Sequence, residues 1–149
     1  MRVLGVCSYP IEAAATRFRL EQYVDPLREH GIELSVRPFL GSSEFVGLYR
    51  NSGFGRLILP TAQSVFQRFR DVFSSGSYDL LFVQREAMPF GPAVFEWIFR
   101  KIGRLPIVLD LDDATYVSYV SPRFGKLGST LKFFGKTDGL IRAASVVVC

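Results

Sequence analysis

Short apolar runs and amphipathic stretches alternate along this chain. Arg2 to Cys7 is an apolar run closed by Ser8-Tyr9-Pro10, the pattern of a buried strand and its turn. From Thr16 to His30 the spacing predicts a helix with Leu20, Tyr23, Val24 and Leu27 on one face and Gly31 as its stop. Pro26 predicts a kink or break in it near Asp25. Ile32 to Phe39 alternates apolar and polar residues, as expected of a strand near a sheet edge.

Beyond Gly41 the pattern weakens, then recovers. Val65, Phe66, Phe69, Val72 and Phe73 recur at helical spacing with Gln67, Arg68, Arg70 and Asp71 opposite them. They predict a helix over Thr61 to Ser74 with the phenylalanines facing the core, preceded by a shorter one. Leu80–Gln84, Leu105–Leu111 and Ser145–Cys149 read as strands, and Pro92–Ile102 and Thr137–Ala143 as helices. Strands of five to seven residues alternating with helices imply βαβ units, hence an α/β, Rossmann-like, doubly wound parallel sheet. The 149 residues correspond to about one domain. Because the last apolar run, "SVVVC", reads as a central-type strand without a covering element, we expect an N-terminal piece of a longer protein.

Composition narrows the class. Hydrophobic residues make up 48% and charged residues 21%, as in a globular chain. A net charge of +4 suits anionic partners such as nucleotide phosphates or acidic lipid head groups, but is too small and scattered to argue for nucleic acid. No apolar run approaches the ~18 residues of a membrane span, and the start is too short for a signal peptide. Cys7 and Cys149 lie at strand ends; with two strands between them they would be about 14 Å apart, too far for a disulfide. Reduced, buried thiols in a cytoplasmic protein are the expectation.

The chemistry collects after strands, where ligands of open parallel sheets bind. In "SYPIEAAATRFR" there is no glycine fingerprint for a dinucleotide. Arg17 and Arg19 instead fall in the first turn after Thr16, where a cation opposes the helix dipole unless a bound anion reverses the sign. The alternative is a helix that begins near Glu12, with both arginines solvated. In "QREAMPFG", Arg85 and Glu86 either pair with each other or hydrogen-bond a polar ligand. In "IVLDLDDA", Asp110, Asp112 and Asp113 crowd a strand end, so at least one carboxyl should titrate high unless cations or hydroxyl donors relieve it. No further carboxylate or histidine cluster marks a metal site. His30 reads as a solvated cation at a helix end.

"RFRLEQYVDPLREHGIEL", "YDLLFVQREAMPFG" and "LPIVLDLDDATY", in this order and spacing, resemble the N-terminal domain of GT-B fold glycosyltransferases, nearest to family-4-like retaining enzymes. The resemblance covers nearly the whole chain. It implies two Rossmann-like domains facing a cleft, with the nucleotide-sugar donor mainly on a C-terminal domain absent here and the acceptor on this side. It implies no metal and no cofactor, the nucleotide sugar being a substrate. Asp112 and Asp113 would position the acceptor and stabilise charge on the sugar ring, with Arg17, Arg19, Arg85, Glu86 and Asp110 binding substrate. Asp112 stands where many relatives have a histidine, and "AAATRFR" replaces their glycine pair, which puts Arg17 or Arg19 against a donor phosphate or an anionic acceptor.

Residues 1–149 would then be an acceptor-side domain, inactive alone. Its expected partners are a nucleotide-sugar donor, a sugar or lipid-linked acceptor and the C-terminal domain of the same chain. The Phe-rich basic stretches "VFQRFRDVF" and "RFGKLGSTLKFFGK" fit either core and loop or peripheral contact with the inner face of a membrane. From a different class, a non-catalytic α/β ligand-binding or regulatory module also fits. A receiver-like domain would need acids after its first strand, where this chain has Ser-Tyr-Pro.

Overall fold

The computed structural model describes residues 1–49, 58–112, 116–118 and 130–149. Five strands, β1 (Arg2–Cys7), β2 (Glu33–Pro38), β3 (Leu80–Gln84), β4 (Ile107–Asp110) and β5 (Val146–Val148), form one sheet in the order β2-β1-β3-β4-β5. Every pairing is parallel. The helices are α1 (Ala14–Arg19), α2 (Val24–Glu29), α3 (Ser42–Tyr49), α4 (Ile58–Ser74), α5 (Val94–Ile98) and α6 (Lys136–Ala143). This is the α/β, Rossmann-like, doubly wound arrangement that the strand–helix alternation predicts.

The chain steps from β1 outward to β2, then back across β1 to β3 and onward. Right-handed crossovers therefore put the first helices on one face and the later ones on the other. On the later face, Leu4, Val6, Leu81, Val83, Ile107 and Leu109 form the sheet side of the core, covered by Val72, Phe95, Phe99 and Leu140. On the opposite face Leu20 packs over Gly5, where an added Cβ would lie 3.3 Å from the leucine. That close approach is why a glycine interrupts an otherwise apolar strand.

Four expectations are corrected. The first helix does break, but at Leu20, through a 3-10 turn over Glu21–Tyr23; Pro26 sits in the first turn of α2, where proline is tolerated. The helix after Pro92 begins at Val94 and tightens its end into a π-helix over Phe99–Gly103. There a Cβ on Gly103 would come 2.5 Å from Ser75 Oγ, so the chain passes close to the end of α4. β5 is an edge strand with all three valines exposed rather than a central one, and Cys149 beside it is exposed while Cys7 is buried.

The fourth concerns α4. Its buried stripe is Arg68, Asp71 and Val72, with Val65 partly buried, whereas Phe66, Phe69 and Phe73 point outward. Polar demand at the sheet decides this. The carbonyls of Cys7 and Arg37, at the carboxyl ends of β1 and β2, accept hydrogen bonds from the Arg68 guanidinium at 3.1 Å each. Asp71 neutralises that cation at 3.2 Å, and the Phe39 ring lies under it. Buried carbonyls need donors, and a long arginine supplies two at once.

Candidate functional site

The strand order reverses between β1 and β3, and the loops leaving those two strands part to opposite faces. Such a switch point opens a crevice beyond the carboxyl ends of the strands. Here it is a cleft of about 400 Å³ lined by Tyr9, Glu12, Ala13, Ala14, Ala15, Phe45 and Arg85. Tyr9 and Phe45 meet with ring centroids 5.5 Å apart and wall one side.

β3 ends in a turn that sorts its two charged residues. Glu86 N–H donates to the Gln84 carbonyl at 2.8 Å, closing a three-residue turn around Arg85. Arg85 has φ 64°, a left-handed conformation uncommon for a side chain of this size. Its own N–H donates to the Asp110 carbonyl at 2.8 Å and so carries the β3–β4 ladder one residue further. The turn sends Arg85 to the cleft and Glu86 inward. Strained backbone of this kind persists where surrounding structure holds it, and collects at functional sites.

Two ion pairs cross the rim. Arg19, at the end of α1, meets Asp110 at 2.5 Å (Nη1 to Oδ1). Asp112 takes Gln84 Nε2 at 3.3 Å on Oδ2, and faces Arg85 Nε at 3.6 Å with Oδ1. Burial pushes the Asp110 carboxyl above the usual carboxylate range; Arg19 opposes the rise and the neighbouring Asp112 adds to it. Among the described residues, Asp110 Oδ2 and Asp112 Oδ1 are buried oxygens without a hydrogen bond. Each can accept one from a ligand hydroxyl.

Glu86 is spoken for within the fold. Lys136, the first residue of α6, meets it at 2.5 Å, both side chains being buried, and also donates to the Met88 carbonyl at 2.9 Å. Ser8 Oγ donates to the Glu86 carbonyl at 3.2 Å. Beside this cluster Glu96 accepts from Ala87 N–H at 2.7 Å, and burial raises its carboxyl. The pairing of Arg85 with Glu86 is thus replaced by Arg85–Asp112 and Glu86–Lys136.

Of the residues singled out in the sequence, Arg19, Arg85, Asp110 and Asp112 meet at one rim, and Glu86 lies below it. Arg17 does not join them: it is exposed on α1 with its guanidinium 5.0 Å from the Phe18 ring centroid. α1 begins at Ala14, so both arginines fall in its last turn, where the dipole favours a cation. Thr16 does not cap the helix; its hydroxyl donates to the Tyr9 carbonyl at 2.8 Å. The anion expected at the start of this helix is therefore not called for. Asp113 lies outside the described residues.

The sequence reading missed Gln84, Arg68 and Lys136. Gln84 was legible as a polar residue closing an apolar strand; the other two look like ordinary surface cations. Among the described residues no three His, Cys, Asp or Glu side chains gather as a metal site. The rim can instead bind a polyhydroxylated ligand through its carboxylates and an anionic group through its arginines. No protein-family model, curated protein or solved structure matches this chain.

Proposed function

We propose that the crevice above β1, β3 and β4 is the acceptor side of a retaining glycosyltransferase, the donor side being a second Rossmann-like domain of the same polypeptide. The observation that carries this reading is the meeting of Arg19–Asp110 and Arg85–Asp112 at the edge of the 400 Å³ cleft. The order of the three motifs quoted above supports it independently.

On this reading the substrates are a nucleotide-diphosphate sugar and a sugar or lipid-linked acceptor. An acceptor hydroxyl donates to Asp112 Oδ1, which has no hydrogen bond of its own among the described residues. Arg85, held by its turn, offers its guanidinium to a phosphate or to charge on the ligand. Negative charge from Asp112, and from Asp113 beside it in the sequence, favours the positive charge that builds on the sugar ring as the glycosidic bond breaks.

The test is Asp112→Asn in the assembled two-domain enzyme. Turnover should fall by about 10²-fold, the scale for losing one preorganised electrostatic group, with a much smaller rise in KM. Unchanged turnover would remove the assignment. The second reading is a non-catalytic binding module, favoured by the fact that Arg19 and Asp110 already satisfy each other within the fold. It predicts that the assembled protein binds a sugar and transfers none.

A further inference from the structure

The outward side of α4 is unlike the surface of an ordinary soluble helix. Leu59, Ala62, Phe66, Phe69 and Phe73 follow one another at alternating spacings of three and four, which aligns them in a single stripe. Leu59 is 69% exposed, Phe66 65% and Phe73 76%. Phe69 is anchored by an edge-to-face contact with Phe95, ring centroids 5.0 Å apart. The close passage of Gly103 by Ser75 brings the end of the π-helix beside the end of α4, adding Ile102 at 60% exposure, and Trp97 on α5 is 58% exposed. Large apolar side chains grouped in this way mark an interaction surface.

The charges around them share one sign. Between Ile58 and Ser74 and between Val94 and Arg104, the acids are Asp71 and Glu96, and both are buried. Arg70, Arg100, Lys101 and Arg104 are exposed. Four cations without an exposed carboxylate therefore flank the aromatic stripe. A second copy docked by two-fold symmetry would set these cations against one another. A partner must supply both an apolar layer and negative charge. Phospholipid offers the two at adjacent depths, with ring-bearing side chains at the acyl boundary and Arg and Lys among the phosphates.

We propose that the outward face of α4, with Trp97 and the adjoining π-helix, seats this protein on the surface of an anionic bilayer. The inference is independent of the glycosyl-transfer reading. It also explains why phenylalanines that could have served the core are turned away from it.

Flotation of the 149-residue chain with vesicles tests it. With phosphatidylcholine alone the protein should remain at the bottom of the gradient. With phosphatidylglycerol included it should float at low salt and less at moderate salt. Phe66→Ser with Phe73→Ser, both at exposed positions, should weaken partitioning at least tenfold with an unchanged circular dichroism spectrum. Arg70→Glu with Lys101→Glu should weaken it by roughly fivefold or more per residue, the scale for one surface cation near anionic lipid. Three results would overturn the proposal: no flotation of the wild-type chain at low salt, phenylalanine variants that float as the wild type does, or a dimer in light scattering that the same phenylalanine substitutions dissolve. Equal retention of wild-type and phenylalanine variants on a heparin column, with no vesicle binding, would likewise mark the face as a plain anion site.

Discussion

Arg85 shows how a single residue organises the rim. Its positive φ turns one strand end so that adjacent charges part, one toward the cleft and one into the Lys136 pocket. A glycine would adopt this conformation at no steric cost, so an arginine there means that its side chain is used. Cys7 and Cys149 differ at the same scale. Burial pushes the Cys7 thiol up to about 11, and its Sγ donates to the Tyr9 carbonyl at 3.3 Å. Cys149 is exposed. In native protein at pH 8, an aromatic disulfide reagent should therefore titrate one thiol rapidly and the second only in denaturant. Two rapid thiols would contradict the burial of Cys7.

At the scale of the element, α4 presents two overlapping stripes, and its burial is set by the strand ends beneath it. Val72→Ala should destabilise the fold by about 2 kcal/mol, as for other buried aliphatic truncations, whereas Phe73→Ala should stay within about 0.5 kcal/mol. Arg68→Ala should be the most damaging, at roughly 3–5 kcal/mol, because it leaves Asp71 buried without its counter-charge and two strand carbonyls without donors. Urea unfolding of the three variants measures this ranking. A larger loss at Phe73 than at Val72 would restore the opposite face.

For the whole molecule, burial at the sheet edge leaves a pH signature. The carboxyls of Asp71, Glu96 and Asp110 are all raised, in each case chiefly by burial. The folded protein therefore holds protons that the unfolded chain releases, over the interval between the ordinary carboxylate value and the raised ones. Stability must fall as pH rises through that interval, since the native state binds more protons there. Tm should be higher in mildly acidic buffer than at neutrality, and Asp110→Asn should flatten the slope. A Tm that climbs steadily from mild acid to neutrality would show that the arginine partners outweigh desolvation. The cleft belongs to this scale too, since it exists only because the strand order reverses between β1 and β3.

The period of the hydrophobic pattern was enough to read the parallel α/β class, the bounds of β1 and β3, and the place of β2 at an edge, because strand and helix periods are local properties of the chain. It was also enough to collect Arg19, Arg85, Asp110 and Asp112 at one rim, since every one of them follows a strand of a parallel sheet. Which residue pairs with which was not legible. Arg19 and Asp110 are distant in sequence, and their meeting depends on how α1 lies over the β4 end. The buried face of α4 was misread for a related reason: periodicity gives the spacing of a stripe, while the choice between Arg68 and Phe66 rests on carbonyls donated by two other elements. Local pattern determined what the elements are; unmet hydrogen bonds and desolvated charge at the sheet edge, which arise only once the strands assemble, decided which way each side chain faces.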